Sequence, residues 1–202
     1  MIVGTHFFSC YHFRQLLTQR HDAIIRDLKA LASTAGVHAQ DRNLTIFRAR
    51  DENDGQRPDL LLENEGINGR DLYLDITVSH PTCQSYVNRA GKERGHTIKK
   101  KVKEKNDKYK EKCERQGICF MPLAFESFGL ASIEVVNLIN SLAEKSSELN
   151  GIPFELILSY WKKRISTTLQ VGTANFIMDA FASCTKILSV GWRSKKVFLF
   201  LF

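Results

Sequence analysis

Two aspartates, a lysine-rich helix and a few scattered acids carry the chemistry this sequence offers. Asp59 follows Arg57-Pro58, and Asp75 stands in the run Leu74-Asp75-Ile76-Thr77-Val78. Carboxylates on neighbouring strands of a hairpin can meet on one face. Paired acidic oxygens suit Mg²⁺ (or Mn²⁺), whose other octahedral positions are filled by water and a substrate phosphate. The blander alternative is that Asp59 caps a turn and Asp75 sits on a solvated strand face. Asp is disfavoured inside strands, so Asp75 is the more telling of the two. Further along, Ile98, Val102, Tyr109 and Cys113 form an apolar helical stripe, and Lys105 falls on it. A lysine there either snorkels its four-carbon stem to water or brings its ammonium to a carboxylate or phosphate. Lys101, Lys108 and Lys112 occupy an adjoining face, which is either a solvated surface or a phosphate-contacting one.

The elements that must position these residues follow from periodicity. Ile24, Leu28, Leu31 and Ala35 recur at helical spacing, so a helix is expected over residues 18–35, closed by Gly36. A weak strand is expected at 44–49, then the polar turn 51–56. Residues 59–63 and 71–80 read as strands framing a hairpin, with the turn 65–69 between them. In the second, Leu72, Leu74, Ile76 and Val78 alternate with Tyr73, Asp75 and Thr77. One face is thus apolar, and the other, exposed one presents Asp75 and Thr77 side by side. Pro81 stops the strand. The basic segment reads as a helix to Arg115, and residues 118–125 as a strand that Pro122 confines to an edge or a bend. Residues 132–149 and 154–187 read as helices. Strands and helices interleave around one core, which is an α/β class with a mixed sheet flanked by helices and a helical C-terminal extension.

The 202 residues carry 29 Lys or Arg against 22 Asp or Glu, a net charge of +7. Eleven basic and five acidic residues lie between Lys92 and Arg115, so +6 of that +7 sits in one segment. This favours a polyanionic partner. The hydrophobic share of 43% suffices for a core and excludes wholesale disorder. No apolar run is long enough to span a bilayer, so no membrane partner is expected. Five cysteines without a CxxC pair do not form a disulfide framework, which points to a reducing compartment, nucleus or cytoplasm.

Arg57-Pro58-Asp59, the strand ending at His80-Pro81, Lys105-x-x-Lys108-Tyr109, and Phe120-Met-Pro-Leu-Ala-Phe-Glu126-Ser-Phe-Gly129 together resemble a known family. It is the restriction-like endonuclease domain, of the PD-(D/E)XK superfamily, at the carboxyl end of certain non-LTR retrotransposon reverse transcriptases. The resemblance covers roughly Arg20 to Asn175. It implies a central mixed sheet and metal-dependent cleavage of DNA. Asp59 and Asp75 match the metal-binding acids. Thr77 stands where the superfamily usually has its lysine, and Lys105 or Lys108, from the following helix, matches the retrotransposon branch. It also implies a larger reverse transcriptase polypeptide in intact relatives. His6-x3-Cys10 resembles only the second half of that family's zinc knuckle, so no zinc is expected, and His12 is a weak substitute ligand.

The expected organisation is a knuckle remnant at 1–17, a restriction-endonuclease-like domain at 18–149, a helical extension at 150–190 and an apolar tail at 191–202. The expected function is a metal-dependent DNA endonuclease, with Asp59 and Asp75 on Mg²⁺ and Lys105 or Lys108 offsetting charge in the transition state. Arg57, Lys101, Lys105, Lys108 and Lys112 would contact nucleic acid. Asp22, Thr77, Tyr109 and Glu126 are accessory candidates. The rival is a nucleic-acid-binding remnant that has lost catalysis, and a third reading is a relic that merely folds.

Overall fold

The computed structural model describes residues 14–41 and 58–191. Arg57, the expected strand at 44–49, the turn at 51–56, the remnant with His6, Cys10 and His12, and nearly all of the apolar tail lie outside them. In chain order the elements are α1 (Arg14–Thr34), β1 (Ala39–Gln40), β2 (Leu60–Leu62), a 3₁₀ turn (Ile67–Gly69), β3 (Leu72–Ser79), α2 (Val87–Ala90), α3 (His96–Glu114), β4 (Cys119–Glu126), α4 (Ile133–Asn150) and α5 (Phe154–Gly191). Each helix and strand expected within the described residues is present. Only β1 and the short α2 were not foreseen, being too brief to show a period.

The sheet runs β1-β2-β3-β4. β1, β2 and β3 are antiparallel, and β3 and β4 are parallel, with α3 as the crossover that parallel pairing demands. β4 is an edge strand, where the missing amide of Pro122 breaks no ladder. Gly36 adopts φ +69° and ends α1, a conformation that glycine enters without a Cβ penalty.

The alternation in β3 sorts side chains between two unequal layers. Leu72, Leu74 and Ile76 join Leu60, Leu62, Leu123 and Phe125 on one face. Against them pack Ile24, Leu28 and Leu31 of α1, Leu138 and Leu142 of α4, and Ile157, Trp161, Ile165 and Leu169 of α5. The C-terminal helix therefore shares the core of the sheet. On the other face Leu61 and Tyr73 meet Ile118 and Phe120, and Tyr109 of α3 packs its ring 5.4 Å from Phe120. Ile98, Tyr109 and Cys113 are buried as their stripe requires.

Candidate functional site

The register of β2 on β3 places the acids together. Leu60 pairs with Leu74, and continuing by one residue sets Asp59 across from Asp75. Asp59 is held there by its own backbone and side chain. Its amide donates to the Leu74 carbonyl at 3.0 Å, and its Oδ2 accepts the Ile76 amide at 2.6 Å. β2 has ended at this point, so the Asp59 carboxylate substitutes for the next ladder bond of β3.

Asp75 lies on the face that α3 covers. It is only 5% exposed, which corrects the expectation of an exposed strand face: the helix that follows the strand folds back over it. Lys105 reaches it from α3, with Nζ 2.9 Å from Oδ1 and 2.8 Å from Oδ2. The Thr77 hydroxyl donates to Oδ2 at 3.4 Å. Burial pushes the Asp75 carboxyl above its ordinary range, Lys105 opposes that rise, and the Asp59 charge adds to it. The two acids thus sense each other, and the lysine is the local counter-charge.

Of the two candidate lysines, the structure brings Lys105 to the acids. Lys108 is exposed, its Nζ 4.9 Å above the Tyr109 ring. Lys105 Nζ lies 5.5 Å from the same ring, so Tyr109 separates an inward cation from an outward one. Lys101 pairs with Glu104 at 2.7 Å, and Lys112 is exposed. Glu126 is paired in register with Ser79, four residues along β3 from Asp75 and so about 13 Å away. It lines a separate cavity with Arg94 and does not join the acid pair. Asp22 is exposed and reaches the site only through His21, whose Nδ1 lies 3.2 Å from Asp22 Oδ1.

His21 is a residue of this site that the sequence analysis did not place there. Its Nε2 lies 3.1 Å from Asp59 Oδ2. Burial acts to lower the imidazole pKa, but Asp59 and Asp22 outweigh it and raise the group to about 9, so His21 is a cation at neutral pH. Its position one turn before Ile24, on the buried side of α1, was the available signal.

These contacts overturn the expected Mg²⁺ or Mn²⁺ site. Among the described residues there is no group of three or more His, Cys, Asp or Glu able to hold a metal ion. Both oxygens of Asp75 face one ammonium, and Asp59 is engaged by an amide and a charged imidazole. The carboxylate oxygens that a hard cation would take are thus already engaged by protein donors. No helix among the described residues is long and apolar enough to cross a membrane. Comparison with protein-family models and with curated proteins finds no match.

Proposed function

We propose that this domain binds nucleic acid, DNA above all, through the lysine stripe of α3 and does not itself cleave it. In this reading it is a relative of the restriction-like endonuclease domains whose paired acids are spanned by protein cations. The observation that carries it is the spacing of Lys101, Lys108 and Lys112 at i, i+7 and i+11, beside the inward Lys105. That spacing lines three ammonium groups along one flank of a 19-residue helix, next to its buried face. Phosphates contacted by such a stripe release counterions, so binding is sequence-tolerant and strongly salt-dependent. Asp75 and Lys105 then serve to fix α3 on the sheet, and Asp59 ties the end of β2 to α1.

Fluorescence anisotropy of a labelled duplex against salt tests the reading. With about three phosphate contacts, log K against log salt should slope near −2.7. A slope near zero would reduce the stripe to a solubilising surface. Plasmid incubated with the protein and a divalent cation should stay intact. Nicking that Asp75→Asn abolishes would overturn the non-catalytic reading and restore the acids as a reacting centre.

A further inference from the structure

Arg20 is the anomaly of the fold. It is 5% exposed, yet it makes no ion pair among the described residues. Its Nη1 donates to the Thr173 hydroxyl of α5 at 3.1 Å, and its buried Nε has no hydrogen-bond partner. Buried charges are ordinarily paired, because removing an unpaired cation from water is strongly unfavourable. The side chain is also built in: a Cβ on Gly172 of α5 would stand 2.6 Å from Arg20 Cγ, so the glycine makes room for the stem. Asp27, the buried acid of α1 about two turns further on, is taken by Arg164 at 2.7 Å.

Beside Arg20 is a cavity of about 470 Å³ between α1 and the second half of β3. β2 covers β3 only as far as Leu74, so among the described residues no strand pairs with this stretch on that side. Thr18, Arg20, His21 and Asp22 line the cavity from α1, with Thr77 and His80 from the end of β3. The amide of Val78 points the same way as that of Ile76, by the alternation of a strand. His80 is pushed down to about 4 by burial and by the Arg20 charge. Burial lowers Arg20 only to about 10, so it stays charged at neutral pH. His21 is balanced by Asp59 and Asp22. Among the described cations that line the cavity, Arg20 is the one without a carboxylate of its own, since Asp22 and Asp59 both face His21.

We propose that this cavity is an oxyanion site, in which the buried Arg20 guanidinium is the counter-charge for a phosphate group. Thr77, which lines the cavity, donates its hydroxyl to Asp75 and so joins the cavity to Lys105 of α3. The source of the phosphate rests on the nucleic-acid reading: a backbone phosphate of the strand held by α3 enters beside α1. A planar fork matches phosphate oxygens in a way an ammonium does not.

The full chain is titrated with inorganic phosphate against chloride of equal ionic strength. At phosphate tenfold above its dissociation constant the melting temperature should rise by about 3 °C. In Arg20→Met, which keeps the stem and loses the charge, the rise should vanish. No rise in the parent, or an equal rise in Arg20→Met, overturns the site. If Arg20→Met fails to fold, the parent still decides: its Arg20 Nε–H resonance, assigned by its loss in Arg20→Lys, should shift saturably with phosphate. A resonance that does not move overturns the site. Saturating duplex should suppress the phosphate response. A response that persists with duplex bound overturns the nucleic-acid source and leaves a site for free phosphate. If duplex does not bind at all, the proposed function fails, and the phosphate titration still decides the cavity.

Discussion

The two faces of the sheet are held by different physics. One face is a continuous apolar layer, with Leu60, Leu62, Leu74 and Leu123 all fully buried beneath three helices. The other carries one helix on a cluster of Leu61, Tyr73, Ile118 and Phe120, completed by an ion pair between Lys105 and Asp75. Apolar burial is non-directional, so the first face fixes that the chain folds without fixing one helix register sharply. An ammonium seated on both oxygens of a buried carboxylate is directional, and it sets how α3 turns on the sheet. Because α3 also carries the lysine stripe, that single contact decides which lysines point outward.

The largest effect should come from the apolar face. Leu74→Ala removes a fully buried side chain at the centre of the sheet and should cost about 2–5 kcal/mol, read by urea unfolding. A smaller loss, of about 1–3 kcal/mol, is expected for Asp75→Asn, since a partly buried ammonium then faces a neutral amide. An Asp75→Asn protein as stable as the parent would show that α3 is held by Tyr109 and its neighbours alone, and that the two faces do not differ in kind.

The apolar face was legible in the sequence because period-two alternation in β3 and the helical spacing in α1 are local signals. The pairing of Asp59 with Asp75 was legible too, since two adjacent strands joined by a short turn have few registers. Lys105 was legible as an inward lysine from a single helix. The burial of Asp75 was not, because a strand's second face is covered or bare according to where the next helix docks. The metal expectation failed for a related reason: residue types told of two acids but not that His21, 38 residues before Asp59, and Lys105 would occupy them. Arg20 was invisible for the same cause, since its environment is built by Gly172 and Thr173 of a helix some 150 residues away.

The His21–Asp59 contact bridges the end of β2 to α1 and carries its own pH dependence. The imidazole is raised from 6.5 to about 9 in the folded protein. Its contribution is fully present below pH 6.5 and is lost as pH rises towards 9, because the unfolded chain gives up the proton first. Stability should therefore decline across that window, by about 1–2 kcal/mol once solvent screening of a side chain 27% exposed is allowed for. In His21→Gln the decline between pH 6.5 and 9 should disappear from urea midpoints. A parent whose midpoint is flat across that range would mean that His21 does not hold Asp59 as a cation.

The smallest change in stability should come from Lys108→Gln, and it is the sharpest contrast with Lys105. Both lysines lie near the Tyr109 ring, but Lys108 is exposed and makes no ion pair with the acids, whereas Lys105 spans Asp75. An exposed cation beside an aromatic ring contributes about 0.5–1 kcal/mol, so Lys108→Gln should shift the unfolding free energy by no more than that. Lys105→Gln should cost more and should make stability fall as pH rises. Without its ammonium the Asp75 carboxyl, already raised by burial, holds its proton to higher pH in the folded chain than in the unfolded one. DNA affinity should reverse the contrast. Lys108→Gln should lower the salt slope by about 0.9, the loss of one phosphate contact, with the fold intact. If Lys105→Gln instead lowers the slope and leaves stability untouched, Lys105 is a DNA contact rather than the pin of α3. The directional hold assigned to that face would then fall to Asp75 and Thr77 without it.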